Sequence, residues 1–171
     1  EAVKILATSD WHADHVTMGV KRYDEIERAV HASVDAAVEA KVDVYLFLGD
    51  LCDPEGPGVF RSIYLATWAA LNLEEHGIPS LWLVGNHDVL EDGSGESTLS
   101  PLRALSVITG DIQVASVPGT YCVGGEEVLA LPFTASSHPY KPAAWGGEFA
   151  CGRVVVSHLG GPGIIPGEGV T

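Results

Sequence analysis

The chain has 171 residues, of which 46% are hydrophobic and 19% are charged. These fractions are typical of one globular domain with its own core, and they exclude an intrinsically disordered chain. The formal net charge of −14 predicts a surface that repels nucleic acid and anionic lipid, unless a local patch or a bound metal overrides it.

The first half of the chain contains three short apolar runs that predict buried strands. Each run is rich in aliphatic or aromatic residues and is bounded by polar residues or glycine. The runs lie at residues 3–8, 44–48 and 80–84. A polar segment over residues 9–17 follows the first run.

Two amphipathic helices are predicted between these strands. Apolar residues recur every four positions within residues 21–41, from Ile26 to Val38, and form one helical stripe. A second helix is predicted over residues 60–76, with Gly77 as its C-terminal stop. Near-continuous apolar strands that alternate with helices favour a parallel sheet covered on both faces.

The second half predicts a β-rich extension of the same fold. Ser100 and Pro101 mark the start of a short helix, and Gly124-Gly125 predicts a hairpin turn. Short strands are predicted at residues 113–115, 120–123, 128–131 and 154–157. Because no linker separates the halves, we expect one domain over residues 1–171.

Four polar clusters follow four of the predicted strands. In open α/β sheets, sites form outside the carboxyl ends of the strands, so we expect these clusters to meet at one edge. The clusters are Asp10-Trp11-His12, residues 49–53, residues 85–88 and Ser157-His158.

The residue types in these clusters predict a metal site. Asp10 and His12 are two apart, and on an extended backbone their side chains point the same way, so both can bind one cation. Asp50 follows a strand directly, and its two oxygens can bridge two metals. Asn86 and His158 add a carbonyl oxygen and an imidazole. Mixed nitrogen and oxygen ligands suit manganese, iron or zinc better than calcium.

Each cluster taken alone has a simpler interpretation. Gly-Asp and Gly-Asn pairs often form only turns, and a single histidine is more often a hydrogen-bonded core residue than a ligand. Taken together, and all at strand ends, the clusters favour the metal site.

In chain order, these clusters resemble the signatures of the calcineurin-like metallophosphoesterase superfamily. The matching motifs are Ser-Asp-x-His at 9–12, Gly-Asp-Leu-x-Asp at 49–53, Gly-Asn-His-Asp at 85–88 and Ser-His at 157–158. The resemblance implies a metallophosphoesterase-type αββα sandwich, an α/β fold with central β-sheets flanked by helices. It also implies a phosphoester hydrolase with two divalent metal ions, most often Mn with Fe or Zn as alternatives, and a bridging hydroxide.

The resemblance also implies a role for each site residue. His87 protonates the leaving-group oxygen or steadies the phosphoryl oxygens, and Asp53 orients His87. The metal ligands are Asp10 and His12 for the first metal, Asp50 as the bridge, and Asn86 and His158 for the second metal.

One motif of the family is missing from these 171 residues. The family ends with Gly-His-x-His, whose histidines complete both metal shells, and this chain contains no His-x-His. The chain is therefore expected to be truncated at its C-terminus or to carry a degenerate site. Because every earlier motif is intact, truncation is favoured. As given, the residues should bind metal weakly and hydrolyse poorly.

The substrate class is less constrained by the motifs. The Asp10-Trp11-His12 triplet resembles DNA-repair exonucleases of the SbcD type, which favours a nuclease or another phosphodiesterase over a phosphomonoesterase. Against DNA as a partner stands the acidity of the chain, since Lys21, Arg22 and Arg28 form the one small basic group. A non-catalytic scaffold that keeps the fold and a metal-free acidic interaction domain are the alternatives.

Cysteine usage and hydropathy predict a cytoplasmic protein that does not associate with membranes. The cysteines Cys52, Cys122 and Cys151 form no Cys-x-x-Cys pair and are expected to be buried, reduced residues. The most apolar helical run, residues 63–73, is too short to span a bilayer, and no signal peptide is visible.

Overall fold

The computed structural model describes residues 2–90, 92, 94–133 and 154–158. The expected single domain extends beyond these residues and stays a prediction, and Cys151 lies outside them. The helices are α1 (Tyr23–Ala40), α2 (Val59–Glu75) and α3 (Ser100–Ser106). The strands are β1 (Ile5–Thr8), β2 (Val16–Thr17), β3 (Val20–Lys21), β4 (Val44–Phe47), β5 (Ser80–Leu83), β6 (Ile112–Ala115), β7 (Gly119–Val123), β8 (Glu126–Leu131) and β9 (Val154–Ser157).

The main sheet is parallel and has the strand order β1-β4-β5-β6. Its central strands β4 and β5 are buried at every position, which is the pattern of a sheet covered on both faces. Because all four strands run in the same direction, the loops after β1, β4 and β5 leave the sheet at one edge. These loops contain three of the four predicted polar clusters.

The helices cover one face of this sheet. The apolar stripe of α1 places Val30 and Val34 in the core, where they share one cluster with Tyr45, Phe47 and Trp82 from the sheet. The rings of Phe47 and Trp82 lie 5.2 Å apart. The α/β class with helices flanking a parallel sheet is therefore confirmed.

A second sheet, in the order β7-β8-β9, covers the other face of the main sheet. Its residues Val128, Ala130 and Val156 belong to one cluster with Leu46 and Leu81 of the main sheet. β7 and β8 form the antiparallel hairpin predicted at Gly124-Gly125, whereas β9 pairs with β8 in parallel. The β-rich extension is thus a separate layer that packs on the first sheet.

One hairpin had no counterpart in the sequence analysis, and one local prediction was wrong. The polar segment of residues 9–17 leads into a short hairpin of β2 and β3, with Gly19 at a φ of 80° in its turn. The apolar residues of this hairpin are exposed, so the sequence shows no alternation of buried and exposed positions that would predict it. Cys122 was expected to be buried but is exposed, because it faces outward on β7, whereas Cys52 is buried as expected.

No helix in the described part of the chain is both long enough and apolar enough to cross a membrane.

Candidate metal centre

The loop after β1 runs alongside the loop after β4. The backbone N–H of Asp10 donates to the Gly49 carbonyl at 2.9 Å, and the N–H of His12 donates to the Asp50 carbonyl at 3.1 Å. These bonds continue the pairing of β1 with β4 past the strand ends. They bring Asp10 and His12 beside Asp50.

The backbone in this region is not extended, contrary to the expectation for Asp10 and His12. Asp10 has a φ of 53° and His12 a φ of 40°, both in the left-handed region, and Asp50 has a φ of 63°. The side chains converge because of these two left-handed turns and not because alternate residues of a strand share a face. Three non-glycine residues in this conformation are costly, and such strain is concentrated at functional sites.

Trp11 anchors the loop between the two predicted ligands. Its indole is buried, packs edge-on against Phe47 at 4.8 Å and donates from Nε1 to the hydroxyl of Thr8 at 3.2 Å. The Ser9 hydroxyl donates to the carboxylate of Asp10. The conformation of this loop is therefore determined by contacts with the core.

Asp50 lies at the centre of the cluster and is almost fully buried, with 3% of its surface exposed. Its Oδ2 lies 3.6 Å from Nε2 of His12 and 3.3 Å from Nε2 of His158. Its Oδ1 accepts a hydrogen bond from the backbone N–H of His87 at 3.0 Å. One carboxylate oxygen therefore faces two imidazoles that come from different loops.

Two glycines make room for this arrangement. A Cβ at Gly49 would collide with the ring of His158 and would lie 2.9 Å from the Cα of Gly85. A Cβ at Gly85 would collide with the carboxylate of Asp50. Glycine is therefore needed at both positions for a specific reason, which is that a side chain would enter the space that two predicted ligands occupy.

His158 reaches the cluster from the second sheet. It follows β9, and its backbone N–H donates to the carbonyl of Leu131 at 3.1 Å, which continues the pairing of β8 with β9. Its Nδ1 donates to the carbonyl of Leu48 at 2.7 Å, and its Nε2 lies 3.1 Å from Oδ1 of Asn86. The fourth predicted cluster thus meets the other three, although its strand belongs to another sheet.

The contacts of His158 favour a charged imidazole in the metal-free chain. The hydrogen bond to Asp50 and the carbonyl of Leu48 raise the pKa of His158 to about 9, against burial, which lowers it. Burial alone would raise the pKa of Asp50, but His158 and the N–H of His87 bring it below its ordinary value. The positive charge of the protonated His158 imidazole thus offsets the negative charge of the Asp50 carboxylate.

His87 and Asp53 form a separate pair beside the cluster. Nδ1 of His87 donates to Oδ1 of Asp53 at 2.7 Å. This bond raises the pKa of His87 above its ordinary value, although burial of the ring acts to lower that pKa. The ring of His87 lies 5.0 Å from the ring of His12, so the pair borders the predicted ligands.

Asp88 is the residue of this region that the sequence interpretation left without a role. It is fully buried, and its pKa is raised by that burial. Its carboxylate accepts hydrogen bonds from the loops after β4 and β5. The sequence feature that could have identified Asp88 is its position as the last residue of the Gly-Asn-His-Asp motif, directly after a candidate ligand and a candidate proton donor.

The donor set fits divalent cations. Asp10, His12 and Asp50 offer ligand atoms that all lie within 4.8 Å of one another. Ligand atoms that share one cation with bonds of about 2.1 Å lie roughly 3–3.5 Å apart, close to the separations around Asp50. His158 donates its second ring nitrogen to a backbone carbonyl, as metal-binding histidines commonly do.

Comparison with known proteins identifies a family and solved structures of similar fold. The sequence profile of the calcineurin-like phosphoesterases (Metallophos) matches residues 3–150. The crystal structure of TT1561 of Thermus thermophilus is similar, with a TM-score of 0.52 at 16% sequence identity, over 81% of this chain and 53% of that chain. This likeness concerns the fold, and the chain spans about half the length of the solved protein. No curated protein sequence matches the chain.

Proposed function

We propose that this chain, which belongs to the calcineurin-like phosphoesterase family, is the metal-binding core of a hydrolase that cleaves phosphodiesters with two divalent cations. The family acts on phosphoester bonds and depends on metal. The observation that carries the proposal is the position of Asp50, whose Oδ2 faces His12 at 3.6 Å and His158 at 3.3 Å.

Asp50 divides the cluster into two ligand groups. The first group is Asp10 and His12, the second group is Asn86 and His158, and Asp50 is shared by both. The mixture of carboxylate, amide and imidazole suits manganese, with iron and zinc as alternatives. Two such cations, when bound, supply a hydroxide nucleophile near neutral pH and offset the charge of the phosphoryl group.

His87 is proposed as the proton donor to the leaving-group oxygen. Asp53 engages its Nδ1 at 2.7 Å, so Nε2 is the atom that transfers the proton. The raised pKa of His87 supports this role, because a larger fraction of the ring then carries a proton at neutral pH. Asp53 fixes the orientation of the ring and stabilises its charged form.

The substrate is proposed to be a phosphodiester, with nucleic acid as the partner to be tested. The Asp10-Trp11-His12 triplet supports this choice through its resemblance to nucleases. The charges near α1 argue against duplex DNA as a ligand of the described residues. Arg22 forms an ion pair with Glu25, and Arg61 lies 3.3 Å from Asp24, so these cations are partly neutralised.

A cytoplasmic location stays a prediction from cysteine usage.

A substrate comparison tests the proposal. The full-length protein is assayed on a nitrophenyl phosphodiester, a nitrophenyl phosphomonoester and linear DNA, with manganese and with a chelator. Metal-dependent turnover that favours the diester or DNA is the expected result. Preference for the monoester would replace the diesterase by a phosphatase. Bound metal without turnover of any of the three would instead support a scaffold that keeps the fold.

A further inference from the structure

We propose that Asp88 is a positioning residue, whose buried carboxylate ties the loop after β4 to the loop after β5 and so fixes Asp50 relative to Asn86. Its effect on metal binding rests on the proposed function, whereas the tie between the loops does not.

The carboxylate of Asp88 accepts four hydrogen bonds, and three of them come from the two loops. Oδ2 accepts from the backbone N–H of Asp50 at 2.9 Å and from that of Gly85 at 2.8 Å. Oδ1 accepts from the N–H of Leu51 at 2.8 Å and from the hydroxyl of Thr98 at 2.7 Å. Asp88 itself is 0% exposed, so water does not compete for these bonds.

These contacts lie directly behind the two proposed ligands. The backbone at Asp50 is held through its own N–H and through that of Leu51, which both donate to Asp88. Asn86 directly follows Gly85, whose N–H donates to the same Oδ2 as the N–H of Asp50. The left-handed φ of 63° at Asp50 needs such support, because a non-glycine residue does not keep that conformation unaided. Asp88 therefore supports the geometry of both loops.

A third segment joins this arrangement through Thr98. Its N–H donates to the carbonyl of Asp88 at 2.9 Å, in addition to the hydroxyl bond. The neighbouring residues Val89 and Ser97 form an antiparallel β-bridge. The segment that leaves the site after Asp88 thus returns to the same carboxylate.

The substitution Asp88→Asn tests the hydrogen bonds between Asp88 and the two loops without changing the size of the side chain. The new amide has one acceptor oxygen and two N–H donors, so it cannot accept from three backbone N–H groups. In the metal-free protein, the amide protons of Asp50, Leu51 and Gly85 are expected to exchange with solvent faster than in the wild type. Unchanged exchange at these three amides would overturn the inference. Asp92→Asn is the control, since Asp92 is exposed and its bonds are local.

The consequence for the metal is measured with manganese alone. Calorimetric titration is expected to give a 10- to 100-fold lower affinity for Asp88→Asn than for Asp92→Asn, about the usual range for residues that orient ligands. The electron paramagnetic resonance spectrum of bound Mn²⁺ should change as well. A residue that only stabilised the fold would lower the unfolding temperature and leave the affinity and spectrum as in the control, and that result would overturn the inference.

Thr98→Val provides a second variant in case Asp88→Asn does not fold. It removes one of the four donors and keeps the three backbone N–H groups. We expect a smaller loss of Mn²⁺ affinity, about tenfold, together with faster exchange at Leu51, whose N–H shares Oδ1 with the hydroxyl. Wild-type affinity and exchange in this variant would overturn the inference. If the wild type binds no Mn²⁺, the proposed function fails, and amide exchange still decides whether Asp88 ties the loops.

Discussion

Asp10 and His12 reach the candidate metal centre through a strained backbone, whereas Asn86 and His158 reach it through side-chain hydrogen bonds. The first group has φ values of 53° and 40°, while Asn86 and His158 are not among the described residues with positive φ. Strain of this kind costs about 1–3 kcal/mol per residue and persists only where the surroundings enforce it. The first group should therefore depend on the contacts that hold its loop, and the second group should depend on the space that the glycines leave.

Asp50 belongs to both groups, so its substitution should have the largest effect. Asp50→Asn keeps the size of the side chain and removes its charge between the two imidazoles. We expect Mn²⁺ affinity to fall by more than about 100-fold and hydrolysis of a nitrophenyl diester to fall further than in any other variant below. Asp43→Asn, at the opposite end of β4, is the control. Near-normal metal affinity in Asp50→Asn would show that the two groups do not share this carboxylate.

His87 belongs to neither ligand group and should separate turnover from metal binding. His87→Ala is expected to slow hydrolysis about 10²–10⁴-fold, because a proton-transfer group is lost. Mn²⁺ affinity should stay close to that of the wild type. His76→Ala, at the end of α2, serves as the control histidine. Loss of metal in His87→Ala would place His87 among the ligands.

Crowding at Gly49 should affect the second group selectively. Gly49 and Gly77 have φ values of 101° and 70°, so alanine at either position strains the backbone and costs about 1–2 kcal/mol. A Cβ at Gly49 would also collide with His158, whereas a Cβ at Gly77 would have no atom within 4 Å.

Urea unfolding should therefore show a larger loss of stability for Gly49→Ala than for Gly77→Ala, because both strain the backbone but only Gly49→Ala adds a steric clash. Titration with Mn²⁺ should show a loss of about 10- to 100-fold for Gly49→Ala alone. Equal metal affinity in both variants would mean that the second group does not need the space at Gly49.

The smallest effect is expected in the stability of the metal-free protein with pH. The pKa of His158 is about 9 in the folded chain, above the ordinary histidine value of 6.5. Its stabilising contribution is therefore complete below pH 6.5 and is lost as the pH rises through about 9. Urea unfolding with a chelator, from below the ordinary histidine pKa to above that of His158, should show this loss in the wild type. His158→Ala should show a flatter profile, and an unchanged profile would contradict the assignment.

The main sheet could be predicted from the sequence because its strands are near-continuous apolar runs. Strand β4 was expected over residues 44–48 and spans Val44–Phe47. Helix α2 was expected over residues 60–76 and spans Val59–Glu75. The loops after the parallel strands then had to leave the sheet at one edge, which explains why the predicted site residues of the first three clusters lie together. Their roles stay predictions.

Other features depend on contacts that no local pattern reveals. The left-handed turns at Asp10 and His12 are enforced by bonds to Gly49 and Asp50, far away in sequence. Strand β9 was expected at residues 154–157, but its parallel pairing with β8 in a separate sheet has no local signal. The burial of Asp88 likewise follows only from the approach of two loops.

The burial of Trp11 gives the centre an intrinsic optical reporter. Its indole lies between Asp10 and His12 in sequence, packs on Phe47 and lies 5.7 Å from the ring of Trp82. Where cation binding changes the conformation of this loop, the surroundings of this fluorophore change with it. We therefore expect the emission of the unlabelled protein to report the binding of a cation.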